Sequence, residues 1–169
     1  CEGDVMPSQA TSLNLDQHLA QAGPAALSFS RLWERLWQQD YLPPALLELC
    51  RLTFARMHGD KVEMAASNPL AAAAPGDAAL RQAVLADTAL ESGVLPAGWR
   101  PVLQFAEYYW LDAQSIPDEI AEAVKDDFGE AGLVLLIEAL GCIDGRIRAA
   151  RCLRDISEHR STREVAHAH

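Results

Sequence analysis

Blocks in which apolar residues recur every three or four positions alternate along this chain with short breaks rich in proline, glycine and small polar residues. That recurrence is the signature of amphipathic helix, and no stretch alternates with period two for long enough to demand a strand. Residues 1–27 are mixed and polar and contain Gly23-Pro24, so they read as an N-terminal arm. From Ser28 the pattern sharpens. Ser30 is placed to cap a short helix carrying Leu32, Trp33, Leu36 and Trp37, which Asp40-Tyr41-Leu42-Pro43-Pro44 then breaks. Proline suits a first helical turn, so the next helix is expected to start at Pro44 and run through Leu46, Leu47, Leu49, Cys50, Leu52, Phe54, Ala55 and Met57. Apolar residues lie on nearly every side of it, which predicts a central, buried helix.

Gly59 falls at the end of that run, Asn68-Pro69 closes the short segment after it, and Leu70 to Gly76 is a loop of mostly small residues. Asp77 offers a cap for a helix through Leu80, Val84, Leu85, Thr88 and Ala89, stopped by Gly93 and Pro96. Trp99 to Leu111 is the next helix, with Val102, Leu103, Phe105, Ala106 and Tyr109 inward and Glu107 outward. A helical turn at Pro117 to Lys125 precedes a last long helix from about Glu130 to Ser157, apolar first and then bearing Arg146, Arg148, Arg151 and Arg154. Residues 158–169 form a polar tail, disordered in this reading, where His167 and His169 make only a weak metal-ligand pattern. The fold class is therefore all-α, a single helical domain over residues 28–157.

Composition narrows the partners. Acidic residues outnumber basic ones to a formal charge of -10, and the basic residues are scattered rather than gathered into a stripe, which argues against nucleic acid. The longest strongly apolar stretch, Ala131 to Ile143, is shorter than the roughly 20 residues a bilayer span needs, which argues against a transmembrane helix. Cys1, Cys50, Cys142 and Cys152 are far apart and build neither a C-x-x-C nor a metal-ligand spacing, which fits a reducing cytoplasm.

Two stretches carry a resemblance. The first is Leu42-Pro43-Pro44 through His58-Gly59, in which Glu48, Arg51, Leu52, Ala55 and Gly59 stand in a helix that ends at a glycine turn. The second is Trp99 to Glu107 followed by Phe128-Gly129-Glu130-Ala131-Gly132-Leu133 and the run to Glu138. In order and spacing they resemble the alkylhydroperoxidase D-like / carboxymuconolactone decarboxylase family, over most of the chain. The resemblance implies a helical bundle of that type, a symmetric homo-oligomer, and a pocket for a small organic ligand with Glu48 as its proton-relay acid. It also exposes a departure. The peroxidases of that family follow the glycine with two cysteines and a histidine, where this chain has Asp60, Glu63 and Ser67. Dithiol chemistry needs one thiolate to attack and a second thiol to resolve, and neither is present there.

Glu48, His58, Asp60 and Glu63 are the candidate site residues. Asp60 and Glu63 are three apart and share a face if the helix resumes after Gly59. Three neighbouring carboxylates cannot all ionise cheaply, and His58 adds an imidazole beside them, so general acid/base work by a non-redox decarboxylase, isomerase or lactone hydrolase is one reading. A second reading makes Asp60, Lys61 and Glu63 a solvated turn with Lys61, Arg51 or Arg56 as ion-pair partners, and Glu48 and Arg51 an internal pair, leaving a non-catalytic binding or assembly module. A divalent metal on His58, Asp60 and Glu63 is disfavoured because near-adjacent positions rarely converge on one ion, and no cofactor is expected. Thiol chemistry by Cys50, Cys142 or Cys152 remains an outlying alternative, since Cys50 lies inside an apolar helix. Trp33, Trp37, Trp99, Tyr108, Tyr109 and Trp110 read as core or subunit contacts, and Asp144 with Arg148 as a salt bridge or part of the pocket wall.

Overall fold

The computed structural model describes residues 15–71 and 77–166, and among them the chain forms seven helices and no strand. They are α1 (Leu15–Gln21), α2 (Pro24–Leu36), α3 (Pro44–Met57), α4 (Lys61–Ala65), α5 (Asp77–Leu85), α6 (Trp99–Asp112) and α7 (Asp118–Ala166). The all-α class is as the periodicity predicts. No helix among the described residues is long and apolar enough to cross a membrane.

α3 is the axis of the domain, and α5, α6 and α7 pack around it. Every residue from Ala45 to Ala55 is buried, including Glu48 and Arg51. This is what a helix with apolar residues all round must do, because any face left in water would forfeit roughly 1.5–3 kcal/mol per large side chain. Leu46, Leu47, Leu52 and Phe54 of α3 meet Val102, Leu103 and Phe105 of α6 and Leu136, Leu140 and Ile143 of α7 in one core. Tyr109 stacks on Phe54 at 6.3 Å between ring centroids.

Several boundaries differ from the sequence reading. Gly23-Pro24 is a helix start and not a break: α2 begins at Pro24 in the first-turn position, six residues ahead of the expected Ser30 cap. The later part of the N-terminal arm forms α1, which packs on α2. α5 ends at Leu85, well before Gly93, because Asp87 takes a left-handed conformation (φ 61°) and the Thr88 amide turns back to the Ala83 carbonyl at 2.9 Å. Glu107 is only partly exposed, not fully outward, and accepts a hydrogen bond from Arg56 at 2.8 Å. The turn after Pro117 and the last helix are joined in α7, bent at Gly129, whose φ of 72° and ψ of 173° interrupt the helical path. Helical backbone continues to Ala166 through most of the expected tail, while His167 and His169 lie outside the described residues.

Candidate functional site

α3 ends in a turn that positions three of the four candidate residues. Gly59 has φ of 63°, its amide donates to the Arg56 carbonyl at 2.8 Å, and the next amide, of Asp60, donates to Ala55 at 2.9 Å. This paired closure satisfies the last carbonyls of α3 and requires the left-handed residue that glycine supplies most cheaply. Asp60 then caps α4: its Oδ1 accepts from the amides of Val62 and Glu63, each at 3.1 Å. Its other oxygen pairs with Arg154 of α7.

Glu48, Asp60 and Glu63 do come together, but through guanidinium groups. Arg51 grips Glu48 in a two-pronged pair, Nε to Oε2 at 2.7 Å and Nη2 to Oε1 at 2.8 Å, with both side chains 5% exposed. The same Arg51 donates from Nη1 to Glu63 Oε2 at 3.2 Å and to the Glu63 carbonyl at 3.0 Å, and from Nη2 to the Ala66 carbonyl at 2.8 Å. Arg81 of α5 adds a bond to Glu48 Oε1 at 2.9 Å, and Arg154 stands 3.6 Å from Glu63 Oε1. Three acids thus face three arginines, and the repulsion behind the acid/base reading is offset charge for charge. The internal Glu48–Arg51 pair is the one that the second of the two readings expects. Arg56 is not a partner of Asp60 or Glu63; it pairs with Asp87 and Glu107 instead, while Lys61 is exposed.

His58 belongs to a different cluster. Its Nε2 lies 2.7 Å from Asp144 Oδ1, and Arg148 Nε holds the other Asp144 oxygen at 2.6 Å. Trp110 approaches edge-on, its indole nitrogen 3.4 Å from the same Nε2, while Arg151 Nη1 lies 3.4 Å from Nδ1 and donates to the His58 carbonyl at 3.0 Å. One nitrogen cannot both donate to Asp144 and accept from Trp110. The short carboxylate bond assigns the proton to Nε2, leaving Nδ1 to accept from Arg151. Both ring nitrogens are therefore engaged by the protein, and the ring is almost wholly buried.

Of the described cysteines, Cys50 and Cys142 are buried and Cys152 is exposed. Burial pushes the Cys50 thiol up to about 12, a backbone hydrogen bond opposing only slightly, and burial drives Cys142 up to about 11. At neutral pH both are protonated and poor nucleophiles. Among the described residues no group of three or more His, Cys, Asp or Glu side chains is arranged to hold a metal ion.

Beside the Arg51 network lies a cleft of about 530 Å³ that the sequence did not announce. Trp33 of α2, Ile143, Arg146 and Ile147 of α7, and the segment from Ala66 to Leu70 line it, with Leu15 and Asp16 of α1 at its edge. Ser67 lines this cleft, away from the His58–Asp144 pair. Arg146 lies over the Trp33 ring at 4.5 Å and binds Asp16 with both terminal nitrogens, at 3.0 and 3.1 Å. Ser30 Oγ donates to the same Asp16 carboxylate at 2.8 Å. Arg81, Arg154 and Asp16 were missed as site residues because their partners lie 33, 94 and 130 positions away. The spaced arginines of α7 were the one sequence signal. No protein-family model matches the chain, and searches of curated proteins and of solved structures return no match.

Proposed function

We propose that this chain is a divergent alkylhydroperoxidase D-like / carboxymuconolactone decarboxylase-like domain that has exchanged dithiol chemistry for a non-catalytic binding role. The observation that carries this reading is the Glu48 carboxylate. The acid that would begin a proton relay is held by Arg51 in a two-pronged pair and by a further bond from Arg81. A buried carboxylate tied in this way is poorly placed to exchange protons with a substrate. Asp60 caps α4 and Glu63 braces Arg51, so the residues replacing the family's cysteines have structural duties.

The His58–Asp144 pair is the feature that favours the acid/base alternative. It is set second because the remaining nitrogen of His58 faces Arg151. The homo-oligomer and the cytoplasmic location belong to the same proposal. Exposed Leu111 of α6 and Val134 and Ile137 of α7 support the first, and the free cysteines Cys50, Cys142 and Cys152 support the second.

The test is Glu48→Gln in the full chain, assayed for peroxide consumption with a dithiol reductant, for lactone hydrolysis and for thermal stability. Loss of stability with no turnover by either protein is expected. Turnover in the parent chain that disappears in Glu48→Gln at unchanged melting temperature would sink the proposal.

A further inference from the structure

The cleft beside α7 contains a carboxylate site already filled by the protein's own chain. Arg146 is a preset receptor: the Trp33 ring fixes its plane, and the exposed edge of a planar guanidinium matches the two oxygens of a carboxylate. Ser30, 8% exposed, supplies a third hydrogen bond to the same group. The occupant is Asp16, and its neighbour Leu15 is buried at the edge of the same cleft. An apolar side chain followed by a carboxylate is thus what this site accepts.

The Asp16 side chain of that occupant is 52% exposed. A half-exposed ion pair adds little stability, so this pair is the exchangeable one. The other guanidiniums on the cleft are not exchangeable in the same way, because Arg51 and Arg154 are committed to the buried acids Glu48 and Asp60.

We propose that the cleft binds a small hydrophobic monocarboxylate, its carboxylate on Arg146 and Ser30 and its apolar part against Trp33, Ile143 and Ile147, with Leu15-Asp16 as the internal occupant it displaces. The volume of about 530 Å³ lies within the range of small-molecule sites. This rests on the binding-module reading and names its ligand class. Displacement involves no covalent step: one carboxylate replaces another on the same donors, and the charge of the cleft is unchanged.

Octanoate and its uncharged counterpart octanol are the probes, titrated into the full chain by calorimetry and by tryptophan fluorescence, with Trp33→Phe to identify the reporting ring. Saturable binding of octanoate stronger than that of octanol is expected. Removing the internal competitor in Asp16→Asn should tighten octanoate by up to about fivefold, since an occluded site weakens apparent affinity by the fraction that is open. Arg146→Met should abolish the preference for octanoate over octanol; should that variant fold poorly, Ser30→Ala, which keeps the arginine, is expected to weaken octanoate alone. Equal binding of both probes, unaffected by Asp16→Asn, would overturn the carboxylate exchange while leaving a binding module. Binding of neither probe by either the parent chain or Asp16→Asn would overturn this inference and count against the reading beneath it.

Discussion

Arg51 and Arg146 each make a two-pronged bond to a carboxylate and stand in opposite situations. Arg51 and Glu48 are one turn apart on a buried helix, each 5% exposed, and every remaining edge of that arginine meets a carbonyl or a second acid. Arg146 is 11% exposed, but its partner Asp16 is 52% exposed and arrives on a short helix from the far end of the chain. Desolvation separates the two. Breaking the first strands a charge in the core, whereas breaking the second returns one to water. A two-pronged arginine–carboxylate pair therefore serves as a lock in one place and as a latch in the other.

The strongest way to break this comparison is Arg51→Met. With Arg81 left as the direct partner of a buried Glu48, the domain should lose about 3–5 kcal/mol, read from urea denaturation. A change near zero would mean that the network is solvated and that the lock does not exist. Asp60→Ala should cost less, about 1–2 kcal/mol, because it removes the cap of α4 and leaves Arg154 one acid short.

Asp16→Asn should have the smallest effect on stability, under about 1 kcal/mol near neutral pH. Its signature is the pH dependence. Partial burial raises the Asp16 carboxyl, but hydrogen bonds from Arg146 and Ser30 and the arginine's charge outweigh it, so the group is held below its ordinary value of 3.8. A group depressed on folding adds stability above its unfolded value and loses it as pH falls through the folded one. The parent chain should therefore exceed Asp16→Asn above about pH 4 and converge with it in stronger acid. A constant gap down to pH 2 would mean that the aspartate matters for packing and not for charge.

Much of the lock was legible in the sequence. Glu48 and Arg51 are three apart in a run whose apolar residues leave no solvent face, so an internal pair was one of the two expected outcomes, and Gly59 marked the turn that closes α3. Almost none of the latch was. Asp16 lay in a stretch with no apolar period, and Gly23-Pro24 looked like a break because proline marks loops and helix starts alike. Glu107 was expected outward since a charged residue on an amphipathic helix usually is; Arg56, reaching across from α3, made the partly buried position tolerable.

The sequence by itself determined the helical class, the central position of α3 and the acidic residues Asp60 and Glu63 that follow its glycine turn. Those features come from periodicity, from the sum of apolar residues around one helix and from residue identity, all of which are local along the chain. Only the tertiary structure decided that His58 turns to Asp144 while Asp60 turns to Arg154, and that Leu15-Asp16 comes to rest beside Trp33 and Arg146. The reason is geometric. A left-handed residue at Gly59 aims its two neighbours at different parts of α7, and a cleft is made by side chains from distant elements whose meeting is set by how the helices pack.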